Sequence, residues 1–174
     1  MLTIESGVAA LFERACREPL IERTERERGP ALDEAAIRAL LPHRPPFVFV
    51  DRVTRLDTAN GAIVGRYDIR QDSSLAGHFP GRPVWPGVLQ IEAVGQAGVC
   101  LVRAIQSVSD GAPPRPFHLT DVLSARFKTA VTPDLPVEIV ACVVSDGLFT
   151  IVVGQCLQRD RVCSAAAVRG LEGA

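Results

Sequence analysis

From Pro86 to Val102 the chain reads Pro-Gly-Val-Leu-Gln-Ile-Glu-Ala-Val-Gly-Gln-Ala-Gly-Val-Cys-Leu-Val, and its only charge is Glu92. Proline is tolerated at the first helical position because its missing N–H would have no partner there, so the pattern predicts a helix from about residue 87 to about residue 104. A helix that is apolar all round has no face to give to water, and other structure has to wrap it. Its length approaches that of a membrane span, but Gln90, Glu92, Gln96, Gly95 and Gly98 interrupt it and favour a buried core helix, with no membrane role.

The wrapping is expected from strands. Phe47 to Thr54 and Ala62 to Ile69 are strand candidates joined through Asn60-Gly61, a strong hairpin signal. Phe117 to Phe127, Val137 to Ser145, Leu148 to Gln158 and Arg161 to Arg169 follow the helix, with Asp146-Gly147 marking a further hairpin. Asp33 is placed to cap a short helix that Pro42 ends. An α+β domain results, with an antiparallel sheet of about six strands around one central helix, spanning residues 32–174. Residues 1–31 read as an N-terminal extension. In it Val8, Leu11, Phe12 and Ala15 mark a short amphipathic helix, and Glu22 to Arg28 alternate in sign like a solvated linker.

With 174 residues and 47% apolar side chains, the chain suits one globular domain. A formal charge of −1 gives no sign of a nucleic-acid or membrane-surface partner. The cysteines at 16, 100, 142, 156 and 163 form no C-x-x-C pair and no zinc spacing, so reduced thiols in a cytoplasmic protein with no metal are expected. Nothing near the N-terminus reads as a secretory leader.

The chemistry concentrates around the start of the apolar helix. The free N–H groups of Gly87, Val88 and Leu89 form a positive pole suited to a carbonyl oxygen gaining negative charge. Glu92 lies one turn beyond Val88 and one turn before Gln96, on the same face, where Gln96 is placed to hold it. A lone carboxyl group in an apolar helix suits a general acid. Upstream, Gly77-His78-Phe79-Pro80-Gly81-Arg82-Pro83-Val84-Trp85 fixes a histidine on a Pro/Gly loop, and an imidazole so held suits a general base. Base, acid and oxyanion donor together suit removal of a proton α to a carbonyl with loss of a β substituent, which is a dehydration. His43 and His118 lack such company and read as structural or surface residues.

Four stretches taken in order resemble one family: Leu-Leu-Pro-His-Arg-Pro-Pro-Phe-Val-Phe-Val-Asp-Arg-Val (40–53), Gly-His-Phe-Pro-Gly-Arg-Pro-Val-Trp-Pro-Gly-Val-Leu (77–89), Glu-Ala-Val-Gly-Gln-Ala-Gly (92–98) and Ala-Arg-Phe-Lys (125–128). The chain is similar there to the 3-hydroxyacyl-[acyl-carrier-protein] dehydratases of bacterial type II fatty acid synthesis, FabZ type, which have the hot-dog fold. The resemblance implies that His78 removes the C2 proton of a 3-hydroxyacyl thioester, that Glu92 protonates the leaving C3 hydroxyl, and that Gly87 N–H binds the thioester carbonyl. It implies substrate contacts at Val88, Gln96, Phe79 and Trp85, and a cis peptide between His78 and Phe79. No cofactor is implied. The partner is an acyl carrier protein bearing the acyl chain on phosphopantetheine, met by Arg82, Arg126 and Lys128. Homodimers with active sites shared between subunits are implied, with association into hexamers.

The chain departs from the family pattern at Pro45, where Tyr is usual, Trp85, where Met is usual, Gly95, where Ala is common, and Thr129, commonly basic. Asp134-Leu135-Pro136 lacks the usual Gly-Asp turn. Trp85 is expected to add bulk beside the acyl tunnel, which leaves room for a specialised lipid or polyketide substrate. Two alternatives keep the fold: a hydratase or thioesterase acting on acyl-CoA, and a non-catalytic acyl-binding subunit in which Glu92 is salt-bridged away from His78.

Overall fold

The computed structural model describes residues 4–28, 32–109, 117–145 and 149–172. In chain order the elements are α1 (Ile4–Arg17), α2 (Glu34–Leu40), β1 (Arg52–Asp57), β2 (Ala62–Tyr67), α3 (Gly87–Ser109), β3 (Phe117–Phe127), β4 (Val137–Ser145), β5 (Phe149–Gln158) and β6 (Arg161–Glu172). The six strands form one antiparallel sheet in the order β1-β2-β4-β5-β6-β3, and α3 packs across five of them in the hot-dog arrangement. The apolar helix is thus a core helix, five residues longer than its predicted end at about 104.

Small residues let α3 approach the sheet closely. A Cβ added to Gly98 would stand 2.4 Å from Val152 of β5, and one added to Gly154 of β5 would stand 2.7 Å from Val94 of α3. Each glycine therefore accepts the other element's valine. Ala93, Val94, Ala97, Cys100 and Leu101 are buried in the cluster that contains Val152, Ile139 and Ala166. At roughly 1.5–3 kcal/mol for each large apolar side chain removed from water, this layer dominates the stability of the fold.

Strand side chains alternate between faces, so Ile151 and Val153 point away from α3. On that side they meet Val8, Phe12, Ala15, Cys16 and Leu20, which puts α1 and the turn after it on the sheet's outer face. Gln155 is the buried polar anchor there. Its Oε1 accepts the N–H of Leu20 at 2.6 Å, and its Nε2 donates to the carbonyls of Ala15 and Glu18 at 2.6 and 3.0 Å. These are carbonyls and an N–H that the end of a helix leaves without an intrahelical partner.

The run 22–28 is largely solvated as expected, with Glu22, Arg23, Thr24, Glu27 and Arg28 exposed, but Arg26 departs from it. Arg26 is buried and lies 2.6 Å from Glu138 and 3.0 Å from Asp160, while its Nε donates to Ile21 O. Burying a guanidinium is tolerable only when carboxylates and carbonyls replace its water, and both carboxylates come from the far end of the chain.

Several strand boundaries also differ from expectation, one of them the end of β6, which runs to Glu172 beyond the expected Arg169. Residues 47–51 lie outside the assigned strands: Phe47 N closes a turn on Arg44 O at 2.9 Å, and Gln96 takes the N–H of Phe49 at 2.8 Å and gives a hydrogen bond to Phe47 O at 3.2 Å. β1 begins at Arg52 instead of Phe47. β2 ends at Tyr67 because Asp68 accepts from Arg70 N and starts a 3₁₀ turn at Ile69. Gly61 closes the β1–β2 hairpin at φ 60°, the left-handed region that glycine enters without steric cost. The Asp146-Gly147 turn lies outside the described residues.

Candidate active site

The loop that carries His78 is closed on itself by Asp72. One oxygen of Asp72 accepts Ser74 N at 2.8 Å and caps the 3₁₀ turn Ser73–Ala76, and the other accepts Trp85 Nε1 at 2.7 Å and Tyr67 OH at 3.3 Å. Residues before and after the loop are thereby tied to one carboxylate. Burial, followed by the Asp72 charge, pushes the Tyr67 hydroxyl up, so it stays a donor. Inside the loop Phe79 and Arg82 exchange backbone hydrogen bonds at 3.4 and 3.0 Å, and Val84 N donates to His78 O at 2.8 Å. The His78–Phe79 peptide is cis, and the two rings stack with centroids 4.1 Å apart.

His78 Nδ1 lies 2.7 Å from the carbonyl of Val84. A carbonyl only accepts, so Nδ1 carries the proton and Nε2 holds the lone pair, the tautomer a base requires. Among the described residues nothing else occupies Nε2.

Trp85 is wholly buried, packed on Phe49 and Tyr67 with ring centroids 6.0 and 5.5 Å away. Its backbone N–H donates to Val131 O at 2.8 Å. One residue further, Pro86 O accepts Leu89 N and Gln90 N at 3.1 and 3.2 Å, so Leu89 is not a free donor. Gly87 and Val88 keep their N–H groups without a partner among the described residues. Gly87 has a steric reason as well, since a Cβ there would stand 2.7 Å from the Phe127 ring.

Glu92 is not enclosed by its own chain, with 26% of its side chain exposed. Its Oε1 accepts from Gln96 Nε2 at 2.9 Å, and Gln96 is itself fixed by Phe49 N and Phe47 O. His43 Nε2 lies 3.5 Å from the same oxygen. No arginine or lysine pairs with Glu92 among the described residues, and Oε2 is left for a ligand. No hydrogen bond or ion pair joins Glu92 to His78 within the chain.

His43, read as structural from the sequence, is thus brought to Glu92. The available signal was its setting: Pro42-His43-Arg44-Pro45-Pro46 is a proline-framed histidine like His78, and its Pro45–Pro46 bond is cis. Of the basic residues, Arg82 is exposed, whereas Arg126 donates to Glu13 of α1 at 3.1 and 3.3 Å and lies over the Phe12 ring. Lys128 Nζ donates to Cys16 O at 2.5 Å. Phe79 and Val88 expose apolar side chains beside the loop and helix start.

Residues 41–162 match the FabA-like domain. The chain belongs to the FabA-like family. Among its relatives, 3-hydroxyacyl-[acyl-carrier-protein] dehydratase FabZ of Anaeromyxobacter sp. (strain Fw109-5) is 36% identical over 122 residues, 67% of this chain and 76% of the relative. FabZ of Xanthomonas oryzae pv. oryzae (strain PXO99A) is 41% identical over 103 residues, 59% of this chain and 66% of the relative. A chain of the dehydratase heterocomplex ApeI:P from Xenorhabdus doucetiae shares the fold with a TM-score of 0.67 at 17% identity, covering 79% of this chain and 91% of that one. A putative thioesterase from Shewanella oneidensis, at TM-score 0.52 and 13% identity, covers 70% of this chain and 83% of its own. At these identities the structural likeness is one of fold alone.

Proposed function

We propose that this FabA-like chain removes water from 3-hydroxyacyl thioesters carried on the phosphopantetheine of an acyl carrier protein, giving trans-2-enoyl thioesters. The observation that carries the reading is the His78 tautomer: Nδ1 is spent on Val84 O and Nε2 is left as a base. In the reaction Nε2 takes the C2 proton, the electrons of that bond form the C2–C3 double bond, and the C3–oxygen bond breaks as Glu92 protonates the departing hydroxyl. Charge that builds on the thioester oxygen during proton removal meets the N–H of Gly87, with Val88 beside it. Phe79, Val88 and Gln96 frame the acyl thioester. No cofactor takes part.

Each site is shared by two subunits of a homodimer, and dimers associate further into hexamers. Two features support the sharing. His78 and Glu92 do not meet within one chain, and β3 ends the sheet with an unpaired edge beside exposed Leu119, Val122, Leu123 and Phe127, a surface that soluble proteins normally cover. A cavity of about 580 Å³ between α2 and Tyr67 to Ser73 is lined by neither His78 nor Glu92. Trp85 supports the His78 loop from beneath, since its bulk is absorbed by Phe49 and Tyr67. The acidic carrier meets Arg82 first, because α1 holds Arg126 and Lys128. A cytoplasmic location suits reduced thiols and a carrier-bound substrate.

Mass spectrometry of a panel of 3-hydroxyacyl carrier-protein and CoA thioesters tests the reaction by the loss of water. His78→Ala and Glu92→Gln should each abolish turnover with the fold intact, and full activity in either variant would sink the mechanism. Release of a free acid in place of an enoyl thioester would favour hydrolysis.

A further inference from the structure

Each elimination leaves the site unable to repeat it. His78 has gained a proton at Nε2, and Glu92 has given one to the departing water. For the next turnover Glu92 must be reprotonated, and Gln96, which holds its Oε1 at 2.9 Å, is an amide with no proton to transfer.

The neighbour able to supply a proton is His43. Its Nε2 lies 3.5 Å from Glu92 Oε1, and its side chain is 29% exposed, so water reaches the ring. Its Nδ1 is buried and has no hydrogen-bond partner among the described residues. A ring sealed at Nδ1 exchanges protons through Nε2 alone, and Nε2 is the nitrogen facing the carboxylate. The charged groups around His43 are few. Glu92 faces it from α3, and the adjoining Arg44 is turned to the carbonyls of Leu41 and His43 at 2.8 and 2.7 Å.

We infer that His43 is the proton supply of Glu92, a role that rests on the dehydration proposed above. Its Nε2 takes a proton from water, and the resulting imidazolium passes that proton to the Glu92 carboxylate, restoring the acid and the neutral ring. His78 returns its own proton to solvent, so one proton leaves and one enters per water released. His43 acts through Glu92 and touches no reacting atom.

The first turnover of a resting site needs only a Glu92 that already carries its proton, whereas every later one needs the supply. The test is rapid-quench kinetics on the 3-hydroxyacyl carrier-protein thioester, comparing the unaltered protein with His43→Gln. The variant should form one enoyl thioester per site at the unaltered rate and then turn over about tenfold or more slowly, in line with the usual size of proton-transfer effects. KM should be unchanged, and the loss should deepen as pH rises and hydronium becomes scarce. Imidazole in the buffer should restore steady turnover to His43→Gly, which covers the case in which His43→Gln fails to fold.

A first turnover slowed as much as the later ones would make His43 merely structural and overturn the proposal. So would full steady activity in His43→Gln, or no rescue of a folded His43→Gly. Absence of water loss with the unaltered protein would remove the dehydration itself, and this role with it.

Discussion

Two helices lie against the same sheet, and they hold to it by opposite means. α3 meets β5 mainly through glycine and valine fitted into each other, with one weak polar contact from Cys156 Sγ to Gln90 O at 3.7 Å. α1 covers the other face with an apolar stripe too, but its position is set by polar pins: Gln155 under its end, Arg26 between Glu138 and Asp160, Arg126 on Glu13 and Lys128 on Cys16 O. Packing of the first kind is stiff and intolerant of volume. Attachment of the second kind is specific but separable. The proposed chemistry sits on the stiff side, where Glu92 needs a fixed place, and the separable side carries cations that a carrier protein would want.

Breaking the stiff side should cost most. Gly98→Val puts carbon into the space that Val152 fills, with even a Cβ only 2.4 Å from that side chain. Overpacking of this kind costs about 1–3 kcal/mol or more, so a large fall in Tm is expected, with loss of turnover as Glu92 is displaced. Unchanged thermal unfolding would mean that helix and sheet are not locked as described.

Gln155→Leu attacks the separable side by leaving Leu20 N and the carbonyls of Ala15 and Glu18 without their partner. Buried groups stripped of partners cost about 1–3 kcal/mol each, less where water enters. The expected result is a lower Tm with turnover per folded molecule retained. Thiol labelling sharpens the contrast. Burial pushes Cys100 of α3 and Cys156 of β5 up to about 12, so both should resist iodoacetamide at pH 8 in either protein. Cys16, a buried residue of α1, should become reactive only in Gln155→Leu. Equal protection of Cys16 in both proteins would show that α1 is held without Gln155.

The smallest effect is expected from Glu13→Gln. It removes the carboxylate that draws Arg126 down onto α1 and is itself held below the usual carboxylate range, chiefly by its hydrogen bond to Arg126. Tm should be almost unchanged, while KM for a carrier-bound substrate falls as Arg126 is released. An unaltered KM would exclude Arg126 from carrier contact.

The same contrast explains what the amino-acid sequence discloses. α3, the four strands after it and the Asn60-Gly61 hairpin are legible because local pattern and final environment agree. Phe47 to Val50 misleads, since its run of aromatic and β-branched residues suits a strand but Gln96 takes two of the backbone groups a ladder would have used. Arg26 looks solvated because its carboxylate partners stand 112 and 134 positions further along the chain. His78 and Glu92 announce themselves through their neighbours. His43 does not, because what marks it is proximity to Glu92 across 49 positions, and no periodicity encodes that.

The paired glycines and valines of α3 and β5 also act as a gauge of length. Val94 and Gly98 are about one helical turn apart, close to 6 Å along the axis. Gly154 and Val152 are two residues apart on one face of a strand, close to 6.6 Å. The two spacings nearly match, so both fits are made at one axial position of the helix, and a slide in either direction drives valine into backbone. Glu92 lies half a turn before Val94 on the same rigid rod. Its depth is thereby indexed against the sheet before substrate, carrier or partner subunit arrives.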